Sequence, residues 1–292
     1  SNFLCYKLNN YFKFSHSYKT PNLDNFIKTL KEIEPKKLLF IKGSGNMGIM
    51  QNVTKLFFEK YGATFAVGST CDGIGEKGIK KGRGVSHILP TWIIKNSKNI
   101  IIWGRNPAVT NTHLLPLIKN KNITTIDVIK TKTAKLSNEF YQINPNSDYF
   151  LAILLSRIVI EKKLYLNPPT KKYKKLIFSY SKRGLYKKIG FKNVNKLIKT
   201  IEEGASILLG LGVAKCRDCY KTIWAIDSLF YMMDYFGKRD RGVAFLGNSG
   251  YGLGNPFEIK HKNIVALFDI NLDDYDVVFI QASNPLVSFL NR

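Results

Sequence analysis

Runs of about four apolar side chains, bounded by glycine or polar turns, alternate along this chain with segments whose apolar residues recur every three or four positions. The central example is NIIIWGRNPAVTNTH at 99–113. Ile100, Ile101, Ile102 and Trp103 have no polar residue among them, the pattern of a strand covered on both faces, and Gly104 ends the run where a parallel sheet turns towards a helix. Arg105, Asn106 and Pro107 follow as a polar loop, and Thr110 or Asn111 stands as a helix cap before Leu114, Leu115, Leu117 and Ile118. A second β-rich run, NITTIDVI at 122–129, places Asp127 near a strand end. A glycine turn lets backbone N–H groups approach a phosphate, and a carboxylate at the tip of the next strand accepts from ribose or base donors. Residues 99–129 therefore have the form of half a nucleotide site.

The alternation continues on both sides. A helix over 23–33 ends at Pro35, and a strand over 37–41 runs into GSGNMG. Ile49, Met50, Val53, Leu56, Phe57 and Phe58 then mark a helix up to Gly62. Glycines 43, 45 and 48 match the dinucleotide fingerprint GxGxxG in strand–loop–helix context, but the next strand, 63–67, has no acidic residue at its tip for a ribose. STCDGIGEKGIKKGRG at 69–84 holds five glycines in sixteen residues, a density that predicts a loop with its backbone close to something. Cys71 at its start is either a small packing residue or a thiolate suited to metal or redox chemistry. Asp148, or Ser147 before it, caps a strongly apolar helix over 149–161. In the second half a strand over 207–209 leads to Gly210, Leu211 and Gly212, an apolar helix covers 223–236, and GVAFLGNSGYGLGNPF forms another glycine-rich loop. The strand 277–280 then leads to QASNPLV. IIIWGRNPAV at 100–109 and VFIQASNPLV at 278–287 share an apolar run, a polar residue, Asn-Pro, an apolar residue and Val. Two strand-to-Asn-Pro units, each preceded by a strand-to-Gly-x-Gly unit, predict two related Rossmann-like α/β domains with mainly parallel sheets and a ligand crevice between halves. The expected division is an N-terminal remnant at 1–20, a first domain at 21–166, a basic connecting segment at 167–203 and a second domain at 204–292.

Composition changes this picture little. At 292 residues and 45% hydrophobic, the chain can fill two cores. It has no apolar run of about 18 residues to span a membrane and no signal-peptide pattern, which predicts a cytoplasmic place or the inner face of a membrane complex. Ser1 in place of an initiator Met suggests a cut or incomplete N-terminus. The net charge is +24, but only 8 of the 45 basic residues are Arg and the lysines are dispersed among Asn and Ile, so a lysine-rich solvated surface is expected rather than a nucleic-acid groove. The densest cluster, 171–188, is suited equally to an acidic subunit or lipid headgroups. Four cysteines make no disulfide framework, and Cys216 and Cys219 form a single CxxC without the other two ligands of a closed zinc site. The four histidines have no metal-like spacing.

From Lys37 onwards the chain resembles the central domains of the molybdopterin oxidoreductase superfamily. The segments that carry the resemblance are WGRNPAVTNTHLLP, TIDVIKTKTAKLSNEFYQINPNSDYFLAILLSRIVIE, and GLGVAK followed by the helix at 223–236 and FGKRDRGV. The resemblance implies that Gly104, Asn106, Asp127 and Asp148 line the site for one guanine dinucleotide arm of the pterin cofactor. It sets Gly210, Gly212 and Asn284 at the pseudo-symmetric counterpart, and Cys71 where the family carries its protein ligand to molybdenum or tungsten. Val128 departs from the family's usual proline, and Asp72 from the histidine of the formate dehydrogenases. GSGNMGIMQ, GSTCDGIGEKGIKKGRG, GRNPAVTNTH and FLGNSG are most similar to the large peripheral subunit of proton-pumping NADH-quinone oxidoreductases, where this region is a scaffold and iron–sulfur clusters lie in other parts of the same polypeptide. The implied role is an electron-transfer subunit with respiratory-complex partners, peripheral to the membrane and without nucleic acid. The alternative is a catalytic molybdenum or tungsten bis-pterin oxidoreductase, such as a formate dehydrogenase or oxyanion reductase.

Overall fold

The computed structural model describes residues 23–43, 45, 50–68, 73–83, 89–215, 219–245, 261–267 and 269–284. The chain divides into two compact units, the first formed by 1–68 with 255–292 and the second by 69–254. Nine strands occur among the described residues: β1 (Leu38–Lys42), β2 (Thr64–Val67), β3 (Asn99–Trp103), β4 (Asn122–Asp127), β5 (Glu139–Gln142), β6 (Ala205–Leu209), β7 (Gly242–Phe245), β8 (Asn263–Ala266) and β9 (Val277–Gln281). The first unit's sheet has the order β8-β2-β1-β9 and the second's β5-β4-β3-β6-β7. Every pairing is parallel. These are the two Rossmann-like α/β units expected from the alternation of short strands and helices.

In the second unit β3 and β6 form the centre, and all five residues of each are buried. Ile100 to Trp103 and Ile207 to Leu209 are continuously apolar because helices cover both faces of the sheet. The helix Asp148–Glu161 buries ten of its fourteen residues, as its near-uniform apolar sequence requires. Against it lies the helix Cys219–Met232, which also packs on the helix Gly73–Arg83. The stretch expected as a glycine-rich loop at 69–84 is thus helical over 73–83. Its glycines serve close packing: a Cβ on Gly78 would stand 2.7 Å from the Tyr220 carbonyl oxygen, and one on Gly75 would stand 2.3 Å from the Phe245 ring.

The expected domain boundaries differ from those observed. Residues 167–203 are no linker; they form the helices Lys171–Phe178, Lys182–Ile189 and Asn195–Glu203, the first two capped by the Thr170 and Ser181 side chains. Tyr173, Ile177, Leu185, Ile189, Leu197, Ile198 and Ile201 from these helices are buried in the second unit's core. A boundary at 204 would also cut the ladder in which Asn99 to Trp103 pair with Ala205 to Leu209. The first unit is discontinuous because β9 pairs with β1 in register from Leu38 with Val277 to Lys42 with Gln281. Phe40, Phe58 and Phe65 pack there with Phe279, the Phe40 and Phe58 rings stacked at 4.8 Å. The proposed N-terminal remnant at 1–20 lies outside the described residues. Among the described residues no helix is long and apolar enough to cross a membrane.

Candidate functional site

In an open parallel sheet, ligands settle at the carboxyl ends of the strands where the order reverses direction. In the second unit that point falls between β3 and β6, because β4 and β5 extend the sheet from β3 while β7 extends it from β6. Gly104 follows β3 and Gly210 follows β6. Gly104 has φ +60°, and its N–H donates to the Ile126 carbonyl at 2.9 Å, turning the chain out of the sheet. The Gly210 N–H donates to the Trp103 carbonyl at 2.8 Å, and the Gly212 N–H to the Gly104 carbonyl at 3.3 Å. A Cβ on Gly210 would lie 2.0 Å from the Gly104 carbonyl oxygen and 2.6 Å from the Arg105 Cβ. Only glycine fits this approach.

The first unit repeats the arrangement. Its order reverses between β1 and β9. There the Gly43 N–H donates to the Gln281 carbonyl at 2.9 Å, and a Cβ on Gly43 would lie 2.1 Å from the Ala282 carbonyl oxygen and 3.2 Å from the Ser283 Cβ. Ala282 has φ +51°, matching Gly104 in the sequence repeat. Each Gly-x-Gly strand therefore pairs with an Asn-Pro strand, but crosswise to the expectation: 43 with 284, and 210 with 106. Gly210 and Gly212 stand beside Gly104, while Asn284 follows β9 in the other unit and is exposed.

Around the second unit's switch point the acidic residues converge. Asp148 opens its helix almost buried, and its Oδ1 accepts from Trp103 Nε1 at 2.7 Å. Ser147 holds the N-cap position, one of the two residues expected there, but its side chain makes no cap bond and donates instead to the Asn144 carbonyl at 2.6 Å. Burial raises the Asp148 pKa, the Trp103 bond opposes this, and the nearby charge of Asp127 adds to it. Asp127, half-buried at the end of β4, accepts from the Val128 N–H at 2.7 Å. Burial raises its pKa too, against the Val128 and Ile129 N–H groups. Asn106 is engaged by its own fold: its Oδ1 accepts from the Thr133 N–H at 3.2 Å and from Thr133 Oγ1 at 2.7 Å. The Thr133 Oγ1 in turn accepts from the Ala108 N–H at 3.0 Å, so the loop after β3 is pinned to the short helix Lys132–Lys135.

Arg105, to which the resemblance assigned no role, carries the strongest sign of a ligand. Its Nε is sealed from solvent and has no hydrogen-bond partner. Burial lowers the guanidinium's pKa, and no ionic partner offsets it. A buried charged donor left unpaired costs roughly 1–3 kcal/mol or more, a penalty that an anionic ligand at this loop would remove. Only the basic residue type, placed after the strand-ending glycine, could have signalled it. A cavity of about 660 Å³ lined by Val128, Gln142, Asn144 and Lys192 opens at the carboxyl ends of β4 and β5, next to Asp127. A larger one, about 710 Å³, is walled by Tyr173, Trp224, Tyr235 and Phe236 and reaches Gly242 at the start of β7; it contains none of the site residues. Cys71, Cys216 and most of the glycine-rich stretches at 43–48 and 246–254 lie outside the described residues, and the Cys219 side chain is likewise not described.

No family model matches the chain. It is 28% identical over 264 residues to the probable oxidoreductase YyaE of Bacillus subtilis (strain 168), a match covering 79% of this chain and 37% of that protein. To the probable oxidoreductase YoaE of the same organism it is 29% identical over 128 residues, covering 41% of this chain and 19% of the relative. The chain thus spans little more than a third of the longer-matching relative. Among solved structures, acetylene hydratase from Pelobacter acetylenicus superposes with a TM-score of 0.59 at 17% identity, over 74% of this chain and 32% of that one. The likeness is one of fold, two α/β units with parallel sheets.

Proposed function

We propose that this chain is the dinucleotide-holding part of a molybdopterin-type oxidoreductase, with one pterin dinucleotide arm seated at the switch point of each unit. The observation that carries this reading is the repeated cradle, in which Gly43 against Ala282 and Gly210 against Gly104 bring backbone together where a Cβ would collide. The N–H groups of Gly43, Gly104, Gly210 and Gly212 are taken up within the cradles, so what the glycines contribute is close backbone approach at two switch points, where open parallel sheets bind nucleotides. The residues present fit such a group: the unpartnered Arg105 Nε supplies a cation, and Asp127 and Asp148 supply acceptors for the donors of a guanine or ribose. When bound, the cofactor carries the metal and the redox chemistry. The chain's part is binding and orientation: Trp103 holds the Asp148 carboxyl in place, Thr133 holds Asn106, and the glycines set the distance of approach. Cys71 is the proposed thiolate ligand where a molybdenum or tungsten site is retained.

A narrower reading makes the protein the large peripheral subunit of an NADH-quinone oxidoreductase, with iron–sulfur clusters in other regions, respiratory subunits as partners and a place on the cytoplasmic face of the inner membrane. It is favoured by the segments GSGNMGIMQ and GSTCDGIGEKGIKKGRG, which resemble that subunit. Metal and pterin content of the longest native form, purified with its partners, separates the two. Molybdenum or tungsten together with pterin supports the cofactor-holding role. Iron with neither metal and no pterin overturns that role and leaves the scaffold.

A further inference from the structure

The two cradles match in backbone and differ in charge. The residue after Gly104 is Arg105, whereas the residue after Ala282 is Ser283. Both side chains leave the backbone over the glycine of the partner strand, since the Arg105 Cβ lies against Gly210 and the Ser283 Cβ against Gly43. A serine there offers a neutral hydroxyl; an arginine offers a fixed positive fork that stays charged even when buried and matches phosphate oxygens two at a time. Arg105 makes no ion pair among the described residues, and its Nε is buried without a partner. In a unit whose neighbouring side chains Asn106, Asp127, Asp148 and Thr133 all have hydrogen bonds, this donor is the exception.

We infer that Arg105 is the counter-charge for the diphosphate of the ligand seated between β3 and β6, and that the two cradles are therefore unequal. The second unit grips its ligand through a charge-assisted contact, the first through neutral donors. This inference rests on the nucleotide reading proposed above. It predicts opposite effects on the free and the bound protein. Arg105→Met keeps a stem on Gly210 and removes the buried charge, so the ligand-free chain gains stability while diphosphate binding weakens.

The test uses the full chain stripped of any cofactor, titrated calorimetrically with guanosine diphosphate and with guanosine at several salt concentrations. Wild type is expected to bind guanosine diphosphate more tightly than guanosine. Arg105→Met is expected to lose about 10- to 100-fold in affinity for the diphosphate, the range of a hydrogen bond to a charged group, with a shallower salt dependence and unchanged guanosine binding. It should also melt at a higher temperature, and Arg105→Lys should recover part of the affinity. Equal losses for both probes, or a variant that binds the diphosphate as wild type does, overturn the role of Arg105 and leave the cradle reading standing. A folded wild type that binds neither probe overturns the cradle reading, and the Arg105 inference falls with it.

Discussion

Replacing Gly210 with alanine tests whether the close approach of β3 and β6 is a steric necessity. Gly210 has φ −97° and ψ 173°, extended backbone that alanine adopts freely, so any loss of stability comes from crowding. The new Cβ would lie 2.0 Å from the Gly104 carbonyl oxygen, about 1.4 Å short of ordinary contact. Relief requires the two strand ends to part, which strains the Gly210 N–H bond to Trp103 and the Gly212 N–H bond to Gly104. Overpacking of this kind costs roughly 1–3 kcal/mol and each lost hydrogen bond about 1 kcal/mol, so Gly210→Ala should destabilise the second unit by about 3–5 kcal/mol. Gly237→Ala is the control: a Cβ there meets nothing within 4 Å, but φ is +75°, so only the left-handed backbone opposes it, at roughly 1–2 kcal/mol. The three tryptophans of the chain, Trp92, Trp103 and Trp224, all belong to the second unit, and their fluorescence in urea follows that unit alone. With a slope of about 2 kcal/mol per molar urea, the midpoint should fall by about 1.5–2.5 M for Gly210→Ala and by under about 1 M for Gly237→Ala. A Gly210→Ala shift no larger than that of Gly237→Ala would refute the steric account of the cradle.

Three further outcomes follow from the site and its surroundings. Asp148 and Asp127 have folded-state pKa values raised by burial, so the folded chain holds protons that the unfolded chain has lost; stability is greatest below the ordinary carboxylate range and falls as pH rises through the raised values. Asp148→Asn keeps an acceptor for Trp103 Nε1 and removes the buried charge, so it should stabilise the ligand-free chain above that window and flatten the pH dependence of its urea midpoint, whereas Asp148→Ala should destabilise by about 1–3 kcal/mol by orphaning the indole N–H. A neutral-pH loss from Asp148→Asn as large as that from Asp148→Ala would contradict this. Ala282 holds φ +51°, so Ala282→Gly should stabilise the first unit by up to about 1 kcal/mol, visible as slower amide exchange in β1 and β9; faster exchange there would count against it. Ser97 is buried and its Oγ meets the Ile93 and Asp240 carbonyls and Ser206 Oγ, so Ser97→Ala should lower the tryptophan-detected stability by about 1–3 kcal/mol, and an unchanged midpoint would show that these bonds contribute nothing net.

What could be read from the sequence was local, and what escaped it was mostly pairing. Ile100 to Trp103 announce a doubly covered strand because burial on both faces removes every polar residue, and the helix over 148–161 is apolar all round for the same reason. The glycine and Asn-Pro units were visible too, and each lies at a strand end as expected. Their partners were not, since a parallel ladder is set by packing across the fold: β1 finds β9 across most of the chain, and nothing near Lys42 or Gln281 in sequence records it. The helix Gly73–Arg83 was hidden by its own glycines, which lower helix propensity but allow contact with Tyr220 and Phe245 that any larger residue would prevent. Arg105 was hidden differently. A lysine-rich chain makes one more cation unremarkable, and only the fold reveals that the Nε of this one has lost its water without gaining a partner. The distinction bears on function, because a scaffold that has ceased to hold a nucleotide gains nothing from a partly buried arginine whose Nε is unpaired and would be relieved of it by an apolar substitution. The place of Arg105 over the Gly210 cradle therefore supports the proposal that the second unit takes an anion there.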